Sequence, residues 1–199
     1  MIKFILLFFI FLSIPKLLLA ETPPVILEDG KEFYEIGLNL DILEDPTGKL
    51  TINDVNSPEW SGKFKRSTKE NPNFGYSKSF FWGRVKIHNN SRIIKTWYMS
   101  QNYVLQDYIT LYKKVDKEWK SITTGDRVSF KTREIEDKAF NFKIEPKEKS
   151  IYFFRINGVT NQFKISLSSP ELFAQNRTRD NLFSGLFFGL VISMVLDNL

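Results

Sequence analysis

Alternating apolar and polar positions run through the middle of the chain and predict β-strands. In residues 81–88 (FWGRVKIH), three apolar side chains point to one side, whereas Trp82 and Arg84 point to the other. A period of two residues is typical of a strand with one buried face. The buried side of this run consists of Phe81, Val85 and Ile87. The same pattern predicts strands at residues 103–112, 140–144 and 163–167, with weaker candidates at 97–99 and 118–122.

Residues 151–156 (IYFFRI) are apolar on both faces apart from Arg155, as expected of a central strand. Turn-forming residues such as Asn157-Gly158 and Thr124-Gly125-Asp126 separate the predicted strands. Short strands separated by turns, with no long helix between them, indicate an all-β fold and an antiparallel β-sandwich.

The C-terminal part of the chain departs from this pattern and predicts a helix. Ser169 can cap its first turn, Pro170 suits the first helical position, and Glu171 complements the helix dipole. Such a helix would continue into the apolar run 182–196, which is shorter than the roughly 20 residues of a full membrane span. We therefore interpret this run as the opening of a membrane helix. A further short helical turn is predicted within residues 49–55.

The N-terminus has the layout of a secretory signal peptide. A short basic start at Lys3 precedes an apolar run that ends in a small residue, Ala20, after which cleavage is expected. An uncleaved N-terminal anchor is the alternative, and both interpretations place the following residues outside the cytoplasm.

Composition narrows the class of protein. The chain has no cysteine, so a hydrophobic core rather than disulfides must stabilise an exported domain. Aromatic residues make up 15% of the chain, which favours packed sheets. Removal of residues 1–20, which contain Lys3 and Lys16, lowers the net charge from +5 to +3. The remaining cations are scattered, which argues against nucleic acid as a partner.

The sequence contains no catalytic constellation. His88 is the only histidine, no thiol is present, and no paired carboxylates stand out as acid and nucleophile. The acidic cluster at residues 134–137 is interpreted as a solvated loop rather than a calcium site. We therefore expect a protein that is not an enzyme and that uses no catalytic residue, cofactor or metal.

A series of short motifs, taken in order, resembles one receptor family. The motifs are EDPTGKLTINDV (44–55), NFGYSKS (73–79), FWGRV (81–85), LQDY (105–108) with Leu111-Tyr112, TGDR (124–127), Arg133, FNF (140–142), YFFR (152–155) and SSPELF (168–173). Together, residues 34–173 resemble the type 2 extracellular domain of the bacterial seven-transmembrane receptors with diverse intracellular signalling modules (7TMR-DISM). The run GLFFG (185–189) resembles the start of the first membrane helix of that family.

The resemblance implies a periplasmic jelly-roll sandwich similar to carbohydrate-binding modules, followed by seven membrane helices and a cytoplasmic output module. The chain departs from the family at Gly83, where a larger apolar residue is usual, and at Asp197-Asn198, where the membrane helix would continue. The second departure leads us to expect a receptor truncated in its first membrane helix.

Candidate ligand contacts are the aromatic and arginine side chains on the outward faces of the strands. Flat rings and charged groups are the side chains that recognise sugars and other small polar ligands. The candidates are Trp82, Arg84, Tyr108, Arg127, Arg133 and Arg155. The structural alternative is that Trp82 fills the core and that Arg84 or Arg155 pairs with an acid such as Asp107.

The expected layout is a signal peptide (1–20), an N-terminal extension (21–33), the sensor domain (34–173) and a juxtamembrane segment entering the first membrane helix (174–199). The expected function is an extracytoplasmic ligand-sensing domain anchored in the bacterial inner membrane, whose partners are the membrane and a small ligand such as a carbohydrate. The alternative is a stand-alone or tail-anchored periplasmic carbohydrate-binding protein. The sequence does not define the oligomeric state.

Overall fold

The structure is a computed structural model, and it describes residues 21–197. The predicted signal peptide, residues 1–20, lies outside the described residues. The strands of the described part are β1 (Val25–Leu27), β2 (Phe33–Glu35), β3 (Leu40–Asp45), β4 (Lys65–Arg66), β5 (Asn73–Tyr76), β6 (Phe80–Asn89), β7 (Trp97–Gln101), β8 (Tyr108–Val115), β9 (Glu118–Thr124), β10 (Phe140–Ile144), β11 (Ser150–Asn157), β12 (Thr160–Gln162) and β13 (Ile165–Ser168). The helices are α1 (Ile52–Val55), α2 (Pro58–Ser61) and α3 (Pro170–Leu196), and short 3-10 turns lie at Gly37–Asn39 and Phe130–Thr132.

Two sheets make up the body of the fold. The larger has seven strands in the order β4-β3-β6-β11-β8-β9, with β1 added parallel to β6, and the smaller has four strands in the order β10-β7-β13-β2. A two-stranded ribbon, β5 with β12, lies beside them. All pairings apart from β1 with β6 are antiparallel. The predicted all-β sandwich is confirmed.

The main core lies between the two sheets and takes one apolar face from each. In β6 the buried residues are Phe81, Val85 and Ile87, as the alternation predicts. The smaller sheet contributes Trp97, Met99, Phe140, Phe142, Ile165 and Leu167. Packing of aromatic rings against branched aliphatic side chains provides most of the stabilisation in such an interior.

Gly83 has a packing role in this core. A Cβ atom on Gly83 would lie 3.1 Å from the ring of Phe163, which is fully buried. A Cβ atom there would be in tight contact with the ring, and the presence of glycine allows Phe163 to approach the backbone of β6 closely.

A second, smaller core covers part of the opposite face of the seven-stranded sheet. We call it the outer-face core. Leu43, Trp82 and Phe153 of the sheet are buried there against Val55. Residues 50–64, which include Val55 and lie over the three sheet residues, are the covering segment. The covering segment is held locally by a capping box, in which Thr51 and Asp54 exchange side-chain and backbone hydrogen bonds at the start of α1. The predicted helical turn within residues 49–55 is confirmed, whereas α2 was not predicted.

Two predicted strands have different boundaries in the structure. The pattern over residues 103–112 predicts one strand, but β8 begins only at Tyr108 and the preceding residues form a loop. Leu105, predicted to face the core, is 63% exposed. The strand predicted at 163–167 begins at Ile165, although Phe163 is buried as its apolar character suggests.

The predicted C-terminal helix is present as α3, and it is continuous with the apolar run. The Ser169 hydroxyl accepts a hydrogen bond from the Leu172 N–H at 3.1 Å, so the predicted cap is confirmed. Within residues 21–197, α3 is the one helix long and apolar enough to cross a membrane, and its apolar stretch is not buried against the sandwich. Its first turns lie on the outer face of the smaller sheet, where the Phe173 ring stacks on Tyr98 with centroids 4.2 Å apart.

Candidate ligand-binding site

A groove opens on the outer face of the seven-stranded sheet, beside the outer-face core. Arg155 lies in the central strand β11, opposite Trp82 of β6 and Thr110 of β8. Tyr112 of β8 and Trp119 of β9 pack against the outer-face core, whereas Thr110, Ser121 and Thr123 border a cavity beside it. We call this cavity, of about 400 Å³, the Arg155 groove. It is lined by Phe80, Tyr108, Thr110, Tyr112, Ser121, Thr123, Arg155, Ile156 and Asn157.

The lining combines flat rings with polar groups that can donate and accept hydrogen bonds. Tyr108 and Tyr112 alternate with Thr110 along β8, and the hydroxyls of Thr110 and Thr123 are hydrogen-bonded across β8 and β9 at 2.9 Å. Burial raises the pKa of the Tyr112 phenol, and the charge of nearby Arg155 opposes that shift, so the phenol is neutral at physiological pH. Apolar walls with a few placed polar groups are typical of small-ligand sites.

Arg155 is the unusual group in the groove. Its guanidinium lies over the Phe80 ring at 4.2 Å and over Trp82 at 5.5 Å, and its Nη2 donates to the Gly48 carbonyl at 2.6 Å. Its Nε is buried without a hydrogen-bond partner, and Arg155 forms no ion pair within residues 21–197. A partly buried cation without a carboxylate can gain free energy by binding an acceptor group.

The loop that holds Arg155 corresponds to the DPTGKL part of the first family motif. The Asp45 carboxylate accepts hydrogen bonds from the backbone N–H groups of residues 47, 48 and 50, at 3.2, 2.9 and 3.0 Å. This network fixes the turn that presents the Gly48 carbonyl to Arg155. The DPTGKL segment therefore supplies the carbonyl group that holds the Arg155 guanidinium.

Replacement of Gly48 by alanine is expected to disturb the groove and to destabilise the fold by about 1–2 kcal/mol, since an L-residue is strained in the left-handed region. Gly48 has a φ of +64°, and a Cβ atom there would lie 2.4 Å from the Phe80 ring. Thermal unfolding of the full chain in detergent measures the loss, with Gly62→Ala as the control, because Gly62 has an ordinary φ and open space around its Cβ position. Equal stability of the two variants would contradict this account of the loop.

Trp82 and Arg84 lie outside the groove opening and belong to the outer-face core. Trp82 is fully buried and stacks on Tyr112 with centroids 5.3 Å apart. Arg84 forms an ion pair with Asp41 at 2.8 Å and donates to the Ser61 hydroxyl at 2.7 Å, with its guanidinium over the Phe64 ring at 4.4 Å. Their surroundings match the structural alternative, with Asp41 rather than Asp107 as the acid.

Arg127 and Arg133 lie on the segment between β9 and β10, outside the groove lining. Arg127 is exposed and pairs with Asp107 at 3.6 Å, next to Tyr108. Arg133 lies between the rings of Phe130 and Phe140, at 4.7 and 4.8 Å, and donates to the Asp137 carbonyl. Of the predicted contacts, the structure therefore brings Tyr108 and Arg155 together in the groove.

Among the remaining lining residues, Tyr112 shares the outward face of β8 with Tyr108, as the alternation predicts. Thr110 and Thr123 were not among the predicted contacts but could have been found from alternation along β8 and β9, because they lie on the same face. Phe80 and Asn157 gave no comparable signal, since each lies at a strand end whose pairing the sequence does not specify.

The comparisons with known proteins are consistent with the motif order. A protein-family model described as 7TMR-DISM extracellular 2 matches residues 37–169. The chain belongs to this family. The matched range runs from the 3-10 turn after β2 to the N-cap of α3, and so includes the groove. A search of curated proteins gave no match.

Membership in the 7TMR-DISM extracellular 2 family identifies the sandwich as an extracellular sensing domain of a receptor. The apolar helix α3 follows the matched region directly and fits a membrane-anchored, exported domain.

Proposed function

We propose that this 7TMR-DISM domain is a periplasmic ligand sensor that binds a carbohydrate, or another small polar ligand, in the Arg155 groove. The observation that supports the site is Arg155 itself, a partly buried cation stacked on Phe80, with a buried Nε that has no partner among the described residues. The neighbouring tyrosines provide ring faces, and the threonines and Asn157 provide hydrogen-bonding groups for hydroxyls.

In this proposal the domain binds its ligand without altering it. The groove lining has no carboxylate and no histidine, the side chains that most often act as general acids and bases. The bound state would be transmitted through α3 to the transmembrane and cytoplasmic output modules of the receptor. Transmission requires that the ligand bind one of two arrangements of the domain and helix more tightly.

The test begins with thermal shifts of the full chain in detergent against glucose, galactose, glucuronate, galacturonate and their oligomers. For any sugar that raises the melting temperature, Arg155→Gln is expected to weaken binding roughly tenfold or more, because a hydrogen bond to a charged group contributes about 1.5–3 kcal/mol. Titration calorimetry measures the affinities.

Two further variants make the result specific to the groove. Tyr108→Ala removes an exposed ring of the lining and should weaken the same ligand without changing the fold. Arg92→Gln removes a matched positive charge from an exposed position beyond the far end of β6 and should bind normally. Unchanged affinity in both Arg155→Gln and Tyr108→Ala would place the ligand elsewhere.

A further inference from the structure

Several loops of the two sheets meet at one end of the sandwich. At this end β7 stops at Gln101. Gln101 pairs with Phe140, the first residue of β10, and with Ile165, the first residue of β13. Gln101 Nε2 donates to the Gln162 carbonyl at 2.6 Å, which places the β12–β13 connection there as well. In the larger sheet, β11 ends at Asn157 beside Tyr108, where β8 starts.

Helix α3 points toward the same end. Phe173 stacks on Tyr98 near the start of β7, and Asp180, two turns later, pairs at 2.8 Å with Lys138, just before β10. The helix therefore runs alongside β7 in the same direction. The residues after Asp180 extend past the end of the sandwich by about 1.5 Å each. The apolar run begins at Leu182, within one turn of this last contact.

The loops at this end carry large apolar side chains in solvent. Within residues 21–197 these include five, which we call the loop-end rim: Tyr76 (84% exposed), Val104 (43%), Leu105 (63%), Phe130 (48%) and Val159 (59%). Tyr76 is the last residue of β5, and the other four lie in the loops that precede β8, β10 and β12. A single exposed apolar residue is ordinary, but a group on adjoining loops marks an interaction surface.

We propose that the loop-end rim docks on the lipid surface of the membrane that α3 enters. The position of the apolar run requires the bilayer to begin within about one helical turn of this end of the sandwich. Apolar and aromatic side chains at that depth lie in the boundary between headgroups and acyl chains, where their burial is favourable. Docking would restrain the tilt of the sandwich relative to α3. The proposal rests on membrane insertion of α3 and not on the ligand groove, whose lining contains no rim residue.

Because the sequence contains no cysteine, single cysteines can be introduced and labelled at chosen positions. Leu105→Cys, Phe130→Cys and Val159→Cys are each made in the full chain and labelled with a polarity-sensitive fluorophore. Each protein is reconstituted into vesicles of phosphatidylcholine and phosphatidylglycerol, with and without a lipid that carries a quencher at the headgroup–acyl boundary. Ile93→Cys is the matched control, because Ile93 is 80% exposed and lies beyond the opposite end of β6.

The expected result is a blue shift and a loss of emission to the lipid quencher at the rim positions, and neither at Ile93. Leu190→Cys, in the apolar run of α3, reports insertion and should be quenched by a lipid carrying its quencher deeper in the acyl chains. Rim labels that behave like Ile93 would overturn the proposal. A blue shift without lipid quenching would show that protein covers the rim, and would overturn it too. An unquenched label at Leu190→Cys would show that α3 does not insert into the bilayer, and this result would also overturn the proposal.

Discussion

Replacement of Trp82 by alanine is expected to lower the free energy of unfolding by about 3–5 kcal/mol, the usual range for removing a buried tryptophan. Trp82 is fully buried, packs with Leu43 and Phe153 in the outer-face core, and stacks on Tyr112. The alanine variant would lose packing contacts between the sheet and the covering segment. Chemical denaturation of the full chain in detergent, followed by circular dichroism, measures the loss.

Two comparison variants test whether the loss comes from the buried ring of Trp82. The Trp82 Nε1 is buried without a hydrogen-bond partner in the described part of the chain, so Trp82→Phe removes an unsatisfied donor while keeping a ring. We expect it to lose much less stability than the alanine variant. Tyr76→Ala, at an aromatic residue that is 84% exposed, should leave stability nearly unchanged. If Trp82→Ala were as stable as Tyr76→Ala, Trp82 would have to lie on an open surface, as a direct ligand contact would.

Alternation along the strands predicted part of the main core. Residues 81–88 and 140–144 keep a strict period of two, and their inward side chains are buried as expected. The same rule failed at Leu105, because apolar spacing can continue into a loop after the backbone pairing has ended. Strands β1 and β12, of three residues each, are too short to show a period at all.

The candidate site was predictable only in part, because alternation along strands does not show which part of a sheet face is covered by another segment. The sequence indicated that Trp82 and Arg84 share an outward face, and the structure places Arg155 opposite Trp82 on the same face. The sequence did not indicate that residues 50–64 cover one side of that face, because α1 and α2 have four residues each and little helical periodicity. The covering segment separates the three residues, burying Trp82 and Arg84 and leaving Arg155 at the edge of an open groove.

The Arg155 groove and α3 lie on different surfaces of the domain. The open part of the larger sheet presents the Arg155 groove, and the outer face of the smaller sheet carries α3. The segment between β9 and β10 contacts both regions: Arg127 pairs with Asp107 beside the groove, and Lys138 pairs with Asp180 of α3. In the function proposed above, this segment is the part of the domain that links the groove to α3.

Replacement of Asp41 by alanine is the other change with a large expected effect, a loss of about 3–5 kcal/mol in the free energy of unfolding. Asp41 Oδ2 accepts from Arg84 Nε at 3.1 Å and from Nη2 at 2.8 Å, and the two side chains are only 11% and 14% exposed. Without the carboxylate, the guanidinium would remain largely buried with no counter-charge. Denaturation of the full chain measures the effect.

A double variant separates the charge from the packing. In Asp41→Leu with Arg84→Met, both charges are replaced by apolar side chains of similar size, and most of the lost stability should return, because a buried ion pair contributes little beyond a well-packed apolar pair. Glu59→Ala, which removes the exposed partner of Lys63, is the control and should change stability by less than about 1 kcal/mol. A double variant no more stable than Asp41→Ala would show that the hydrogen bonds of the Asp41–Arg84 pair, which Asp41 accepts from Thr22 and Arg84 donates to Ser61, are needed for stability.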